Sequence, residues 1–528
     1  MLSKSDSDES QSFLSDASNM AGGHAARVLF PETSEEVAEA LAAASRERTP
    51  VTVAGAGTGV VGGRVPFGGL VVSTDRLKRV LEIARDDGEE AGPKDEGPTR
   101  ARGRATAEAG VLLSEFQRAV EARGLFYPPD PTERSCYLGA TVATNSSGAR
   151  TFKYGPTRDY VRRLKIALAT GDLLDLRRGD ARADADGSLR VRTLGGRVVE
   201  ARLPSYDMPR TRKHAAGYFV RPGVDAVDLF VGSEGTLGVI TEVEVSLLAK
   251  PSGVLVGIVF FDDEARLLAF VREARRLSFD TRAAFEEHGG ATNSAADSPV
   301  GIDARALEYF DAESLNFLRE HYPLVPLRAA GAIFFEQETT PDSEDDLMAA
   351  WLALLERHGA MLDDSWFGTN EHDRAEMREF RHKLPVLVNE WLARHGQRKV
   401  STDMAVPDEH FPEMLRFYKE TLRARRLQYV VFGHVGDNHV HVNVMPRDVA
   451  EAAAARDIYS EFVRRAVAFG GTISAEHGVG KLKRDYLREL YGDAHLREMA
   501  ALKRAFDPAC VLGRGNIFAE EFLPAAGR

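Results

Sequence analysis

The features that most constrain this chain are three short segments crowded with glycine and with small or hydroxyl-bearing residues. They span residues 55–63, 138–148 and 232–240, all in the first half of the 528-residue chain. Glycine tolerates positive φ and exposes consecutive backbone N–H groups, so such loops can surround a pyrophosphate. The first loop taken alone could also be a tight structural turn. Three of them together predict a large ligand that lies close to the backbone.

The first loop contains the run Gly57-x-Gly59-x-x-Gly62, which matches the dinucleotide-binding fingerprint. A Rossmann site also requires a helix directly after the loop. Here a strand pattern at residues 51–54 precedes the loop, and the next apolar run, at residues 70–72, has the pattern of another strand. We therefore predict that this loop does not belong to a Rossmann fold.

The composition excludes several classes of protein. A net charge of -12 argues against a nucleic-acid binder, which needs a basic face. Cys136 and Cys510 are the only cysteines, too few for an iron–sulfur cluster or a disulfide framework, and a cytoplasmic location fits. Residues 1–25 are rich in serine and aspartate and are expected to be a disordered tail. No apolar run could span a bilayer, so membrane contact is expected to be at most peripheral, at the inner face.

The order of the predicted elements indicates more than one domain. Thr33 and Glu36 form a capping box in front of a helical apolar pattern. Pro251 follows the apolar strand pattern at residues 243–248 and is expected to close a first domain. From residue 254 to about 427, strand patterns alternate with amphipathic helices, which predicts a second α+β domain.

A group of histidines marks the second half of the chain. His439, His441 and Asn443 alternate with valines, so a strand would place the three polar side chains on one face. His434 ends the preceding strand pattern, and Glu476 adds a carboxylate from a later glycine-rich run. Such donors suit a divalent metal of the Zn, Fe or Mn kind. A surface hairpin with solvated histidines is the alternative.

Three motifs carry a resemblance to a known family. They are Asn-Ser-Ser-Gly at residues 145–148, Lys-Tyr-Gly-Pro-Thr-Arg-Asp at 153–159 and Gly-Ser-Glu-Gly-Thr-Leu-Gly at 232–238. These segments resemble the flavin motifs of the vanillyl-alcohol-oxidase-type flavoproteins, which bind FAD in a PCMH-type domain. Within that superfamily the chain is most similar to the branch that contains D-lactate dehydrogenase and glycolate oxidase.

The resemblance covers nearly the whole chain and implies an α+β fold. A PCMH-type FAD-binding domain of two subdomains is expected at residues 26–251. A C-terminal α+β cap domain for the substrate, with an antiparallel sheet and the metal-site histidines, is expected at 252–470. Residues 471–528 are expected to return to the FAD domain.

The resemblance also implies which residues contact the cofactor. Some branches attach FAD through a histidine of the first glycine loop, and since residues 55–63 contain none, non-covalent FAD is expected. The implied cofactor-binding residues are Gly55, Ala56, Gly57, Thr58, Gly59, Gly62, Gly63, Pro129, Asp130, Gly139, Ala140, Thr141, Thr144, Asn145, Gly148, Tyr154, Glu234, Gly235, Gly238 and Ile240.

Further roles follow from the same resemblance. It implies a divalent metal held by His434, His441 and Glu476. Asn443 would lie near the substrate, and His477 would be the catalytic base. Arg381 matches a position that binds the substrate carboxylate, although a surface arginine in a salt bridge fits equally well. His439 has no counterpart in the motif; a role as a partner of a metal ligand is one option.

The expected reaction is the FAD-dependent oxidation of a D-2-hydroxy acid by hydride transfer to flavin N5, with D-lactate to pyruvate as the first candidate. D-2-hydroxyglutarate, glycolate and an alkyl-glycerone phosphate are alternative substrates within the same fold. A metal-dependent hydrolase and a non-catalytic flavin subunit of an electron-transfer assembly are the alternatives from other classes. The electron acceptor could be a quinone, a cytochrome, an electron-transfer flavoprotein or oxygen. The sequence leaves the oligomeric state open, with a homodimer as one option.

Overall fold

The computed structural model describes residues 2–4, 11–86, 101–287 and 301–523 of the chain. Its N-terminal half contains two sheets, a separate hairpin and five helices. The strands are β1 (Leu2–Lys4), β2 (Arg27–Phe30), β3 (Val51–Ala54), β4 (Leu70–Ser73), β5 (Val80–Arg85), β6 (Gly103–Glu108), β7 (Leu125–Phe126), β8 (Val161–Ala167), β9 (Leu173–Arg177), β10 (Ser188–Arg192), β11 (Val198–Arg202) and β12 (Val239–Ala249). The helices are α1 (Ser34–Glu47), α2 (Leu113–Glu121), α3 (Leu138–Ala143), α4 (Thr151–Tyr154) and α5 (Ala226–Phe230).

The first sheet carries the first glycine loop. Its strand order is β1-β2-β4-β3, and β4 pairs in parallel with both β2 and β3. Helix α1 begins as the capping box predicts, because the Thr33 side chain accepts a hydrogen bond from the Glu36 N–H at 3.1 Å. Residues 55–69, which connect β3 to β4, contain no helix. The prediction that the glycine fingerprint is not part of a Rossmann fold is confirmed.

The second sheet forms the body of the N-terminal half. It is antiparallel, with the order β5-β6-β12-β8-β9, and β7 pairs with the end of β12. Strand β12 pairs with β6 and β8 on its two sides and is nearly all buried, which shows that both of its faces are covered and accounts for its apolar run. Strands β10 and β11 form the separate hairpin.

The third sheet belongs to the C-terminal half and is antiparallel throughout, as expected. Its order is β16-β13-β15-β14-β18-β19-β17. The strands are β13 (Gly253–Phe261), β14 (Ala304–Asp311), β15 (Gly331–Thr339), β16 (Trp366–Gly368), β17 (Val400–Ser401), β18 (Tyr429–Gly433) and β19 (His441–Val444). The helices are α6 (Glu264–Glu287), α7 (Ala312–Leu318), α8 (Glu344–Arg357), α9 (Glu371–Arg394), α10 (Phe411–Ala424), α11 (Val449–Ala468) and α12 (Arg484–Phe506). None of the described helices is both long and apolar enough to cross a bilayer.

The chain returns to the first sheet after α12. The N–H of Val51 in β3 donates to the Val511 carbonyl at 2.8 Å, and the N–H of Gly513 donates to the Val51 carbonyl at 2.9 Å. The buried Lys503 ammonium donates to the carbonyls of Thr236 and Leu512. The C-terminal segment therefore joins β3 to the third glycine-rich segment.

The described part of residues 1–25 differs from the disordered tail expected from its composition. Strand β1 pairs with β2, and the Ala17 N–H donates to the Gly57 carbonyl at 3.0 Å. The Arg64 guanidinium donates to the Ser12 carbonyl at 3.0 Å. These backbone contacts order the segment against the first glycine loop, which a serine-rich composition does not reveal.

Buried ion pairs join the two halves of the molecule at α4. Arg150 lies 3.0 Å from Asp130 and 2.9 Å from Glu336 of β15. Lys153 lies 2.9 Å from Asp303 and 2.7 Å from Glu338 of β15. Removing one partner of a buried pair leaves an unpaired charge in the interior, so these contacts hold the third sheet firmly against the N-terminal half.

Candidate active site

A cleft of about 470 Å³ runs between the three glycine-rich segments and strands β17 and β19. It is lined by most of the residues assigned to the cofactor, together with Asn443, His441, Glu476 and His477. Most of the proposed cofactor residues, two of the three proposed metal ligands and the proposed base therefore border one space, while His434 lies behind its wall. The assigned cofactor residues that line the cleft are Gly55, Ala56, Gly57, Thr58, Gly59, Gly63, Gly139, Ala140, Thr141, Thr144, Glu234, Gly235, Gly238 and Ile240.

Two glycines show why small residues are required around this cleft. Gly57 has a φ of +87°, a backbone conformation that other residues rarely adopt. Gly139, in the first turn of α3, lies so close to Ala109 that a Cβ there would be 2.4 Å from the Ala109 Cβ. Larger residues at these positions would move the backbone that forms the walls of the cleft.

The other assigned cofactor residues do not line the cleft. The Asn145 side chain accepts from the Arg158 N–H at 3.0 Å, and the Tyr154 hydroxyl donates to Glu338. Their contacts are with protein groups that support the walls. The residues in this set are Gly62, Pro129, Asp130, Asn145, Gly148 and Tyr154.

Glu234 ties two walls of the cleft together. Its two carboxylate oxygens accept hydrogen bonds from the N–H groups of Val479 and Gly480, each at 2.7 Å. Burial raises the pKa of Glu234 to about 7, although the two N–H donors oppose the shift. Glu234 thus fixes the segment that carries Glu476 and His477 against the third glycine-rich segment.

The histidines form a compact cluster with Glu476, although β19 begins only at His441 and His439 lies in the segment just before it. The Glu476 Oε1 atom lies 3.3 Å from His434 Nε2 and 3.2 Å from His441 Nε2. The His439 Nδ1 atom lies 4.0 Å from Glu476 Oε2. One donor atom from each of these four residues lies within 4.8 Å of all the others, a spacing that a single divalent cation could bridge.

A buried ion-pair chain orients His434 from the side opposite to Glu476. Its Nδ1 atom lies 2.6 Å from Glu308 Oε1, and Arg381 lies 3.0 Å from the other oxygen of that carboxylate. Burial alone would raise the pKa of Glu308, but the charges of Arg381 and His434 lower it to about 2. Arg381 is therefore occupied by Glu308 and does not line the cleft, which favours the salt-bridge interpretation of this arginine.

His477 lies at the open side of the cluster and is the most exposed of the four histidines in this region, with 31% of its side chain accessible. Its Nδ1 atom lies 3.2 Å from Asp403 Oδ2, and Asp403 also contacts Lys483 and the Ser474 hydroxyl. Asn443 lies beside His441 and also lines the cleft.

Lys213 is a site residue that the sequence reasoning missed. Its fully buried ammonium lies 3.1 Å from Glu476 Oε2 and 2.9 Å from the Gly148 carbonyl. Burial raises the pKa of Glu476, but Lys213 and His434 hold it well below its usual range, so the carboxylate is ionised. The segment around Lys213 is a polar coil with no periodic pattern, and nothing in the sequence connects it with a glutamate 263 residues away.

The protonation of two of the three histidines suits cation binding, whereas burial is outweighed at His434, where the charge of Glu308 raises the pKa. Burial lowers the pKa of His439 to about 3 and lowers the pKa of His441 below its ordinary value. Both imidazoles are therefore neutral near pH 7 and have a lone pair free for a metal.

Comparison with known families matches two regions of the chain. Residues 25–177 match the family described as "FAD binding domain", and residues 252–517 match "FAD linked oxidases, C-terminal domain". The second match alone covers half of the chain and includes the histidine cluster and His477.

Two proteins that match this chain over most of their own length are named as an oxidase subunit and a dehydrogenase. The chain is 29% identical to glycolate oxidase subunit GlcD of Bacillus subtilis, over 94% of this chain and 89% of that protein. It is 28% identical to D-lactate dehydrogenase of Anaerostipes hadrus, over 96% of this chain and 92% of that protein. A solved structure of alkyldihydroxyacetonephosphate synthase superimposes with a TM-score of 0.65 at 16% identity, covering 97% of this chain and 81% of the other, which shows a shared fold.

Proposed function

Because this chain belongs to the family of FAD-linked oxidases, we propose that it binds FAD non-covalently and oxidises a D-2-hydroxy acid, with D-lactate as the first candidate. The observation that carries the proposal is the shared cleft. The glycine-rich segments, His441 and Glu476 of the histidine–glutamate cluster, and His477 all border one cavity. A hydrolase would need only the cluster and would leave the glycine-rich walls without a purpose.

The residues of the cleft suit the removal of two hydrogens from a hydroxy acid. Bound FAD supplies a hydride acceptor, and a bound divalent cation supplies Lewis acidity. His477 accepts the hydroxyl proton at Nε2, because its Nδ1 atom faces Asp403. Asn443 offers an amide that can hold a substrate oxygen at the same wall.

The donor set and the spacing of the cluster fit a divalent metal. Three imidazoles, each neutral or paired with a carboxylate, and one ionised carboxylate face a common point. Two of the imidazoles are held from outside the cluster: Glu308 contacts His434, and the Thr402 carbonyl lies 3.0 Å from the Nδ1 atom of His441. Such outer partners are a regular feature of metal-binding histidines. His434, His441 and Glu476 would hold the ion.

D-2-hydroxyglutarate is the second candidate substrate. Lys399 lines the same cleft and has no ion-pair partner among the residues that the structure describes. A free cation in this position would favour a substrate with a second carboxylate. Replacing Lys399 with Met should then raise the KM for D-2-hydroxyglutarate far more than the KM for D-lactate.

The test is an anaerobic visible spectrum of the purified protein before and after addition of substrate. Flavin bands that D-lactate bleaches and L-lactate leaves unchanged would support the cofactor, the reaction and the chirality together. If only D-2-hydroxyglutarate or only glycolate bleached the flavin, that compound would become the proposed substrate, and the proposed type of reaction would be supported. Yellow protein that no hydroxy acid bleaches would favour an electron-transfer subunit, and protein that FAD cannot reconstitute would overturn the proposal.

A natural electron acceptor is also part of the proposal. Reduced enzyme made in the same experiment should be reoxidised by a quinone analogue, a cytochrome or an electron-transfer flavoprotein faster than by oxygen. The preferred acceptor is then the one with the highest rate of flavin reoxidation.

A further inference from the structure

His439 is the one histidine of the cluster for which the family motif offers no role, and its surroundings are unusual. The side chain is completely buried, yet its Nδ1 atom makes no hydrogen bond among the described residues. A buried polar atom without a partner destabilises the fold, so such atoms usually serve a purpose.

The orientation of the ring shows what that purpose could be. Its Nδ1 atom faces Glu476 Oε2 at 4.0 Å, and its ring centroid lies 4.6 Å from that of His441 and 5.4 Å from that of His434. The Nε2 atom, on the opposite side of the ring, lies 3.1 Å from Asp403 Oδ1. A carboxylate behind an imidazole whose other nitrogen faces a cation is the usual arrangement around a metal-binding histidine.

Asp403 itself is the weaker candidate for a ligand. It can be grouped with His441, Glu476 and His477 by distance. However, its two oxygens already face the Lys483 ammonium, the Ser474 hydroxyl and the N–H groups of Glu476 and His477. His439 Nδ1, in contrast, has no competing partner among the described residues.

We propose that His439 is a fourth protein ligand, which gives this chain a site of three imidazoles and one carboxylate. The inference rests on the metal in the proposed function and extends it to this chain's own donor set. A third imidazole favours zinc or iron over magnesium or manganese, because imidazole is a softer donor than oxygen.

The experiment compares metal binding by the full-length, FAD-loaded protein after treatment with a chelator. Wild type, His439→Leu, His441→Leu and His372→Leu are titrated with Zn²⁺ and with Co²⁺, and the Co²⁺ visible bands are recorded. His372 is an exposed histidine on α9 and is the matched control. Leucine is close to histidine in size, and the unfolding temperature of each metal-free variant shows whether it is folded.

The expected result is at least about tenfold weaker Zn²⁺ binding and altered Co²⁺ bands for His439→Leu, with His372→Leu unchanged. Wild-type affinity and bands in His439→Leu, together with a loss in His441→Leu, would overturn the role of His439 and leave the metal site intact. X-ray absorption of Zn²⁺-loaded wild type gives a test that needs no variant. Three imidazoles around the ion support the proposal, and two refute it. Wild type that binds no stoichiometric metal would overturn both this inference and the metal of the proposed function.

Discussion

His477 and Asp403 are joined through one nitrogen, with Nδ1 3.2 Å from Oδ2, and the same carboxylate accepts a hydrogen bond from the His477 N–H at 3.1 Å. Both the ring and the backbone of His477 are therefore fixed by one buried group. Burial raises the pKa of Asp403, but His477 and Lys483 hold it well below its usual range, so it is a carboxylate at neutral pH. This contact leaves Nε2 of His477 free for a proton.

Replacing His477 with Gln should lower kcat for the preferred hydroxy acid by roughly 10²–10⁴-fold, because glutamine cannot accept the hydroxyl proton. Bound FAD should be unchanged, since the substitution leaves the glycine-rich walls intact. Steady-state kinetics and the flavin spectrum of the purified variant provide the measurement. Turnover equal to wild type would remove His477 as the base.

Replacing Asp403 with Asn should lower kcat by at least about tenfold while KM changes little, because the ring of His477 loses its fixed orientation. Asp457→Asn, on the exposed face of α11, is the control and should behave as wild type. FAD content and the unfolding temperature of both variants show whether the effect is local. If Asp403→Asn raised KM alone, an orienting role would be ruled out.

Replacing Glu308 with Gln should weaken metal binding by roughly 10–100-fold, as removal of a carboxylate behind a metal-binding histidine generally does. The buried Glu308 orients His434 at 2.6 Å and carries the charge that balances Arg381. Titration of the chelator-treated protein with Zn²⁺ measures the change, with the exposed Glu320→Gln as control. Unchanged affinity in Glu308→Gln would contradict a metal bound through His434.

Replacing Gly59 with Val should reduce FAD affinity by at least about tenfold without loss of folding. Gly59 lines the cleft, its φ is not in the left-handed region, and a Cβ there meets no described atom within 4 Å. The methyl groups of the valine would therefore occupy the part of the cleft in which we expect the cofactor to bind. Fluorescence titration of the FAD-free protein gives the affinity. Gly195→Val, in the loop between β10 and β11, should bind FAD as wild type does.

The raised pKa of Glu234 predicts that wild type and Glu234→Gln differ in stability by an amount that depends on pH. Its folded-state pKa is raised from 4.5 to about 7, so the folded chain binds this proton more tightly than the unfolded chain does. Stability from this group is thus fully present below about pH 4.5 and is lost as the pH rises towards 7. Glu234→Gln should therefore gain stability relative to wild type between pH 5 and pH 8, by at most about 3 kcal/mol. Urea unfolding of FAD-free wild type and FAD-free Glu234→Gln at pH 5 and pH 8 measures the free energy of unfolding of each protein. A difference between the two proteins that is the same at both pH values would contradict the raised pKa of Glu234.

The sequence predicted those parts of the fold that depend on local patterns. The capping box at Thr33, the strand at residues 51–54 and the alternation that places His441 and Asn443 on one face all depend on neighbours in sequence. The motifs then located the cleft because glycine and small residues are needed wherever backbone approaches a ligand closely.

The remaining site residues depend on contacts across the chain, which no local pattern encodes. Lys213 and Asp403 reach the site from polar coil segments, and their importance follows from burial beside Glu476 and His477. Arg381 was assigned from a loosely matching motif, whereas its ion pair with Glu308, 73 residues earlier, depends on how α9 packs against β14. Composition could not reveal that Ala17 holds the loop at Gly57.

The return of the chain from Leu512 and Gly513 to β3 makes one wall of the cleft depend on a pairing between residues about 460 positions apart. Contacts between residues so distant in sequence must close a long loop of chain, so they form more slowly than contacts between neighbours. Strand β3 leads directly into the first glycine-rich segment. We therefore expect this wall of the cleft to be completed late in folding, after the local helices and hairpins have formed.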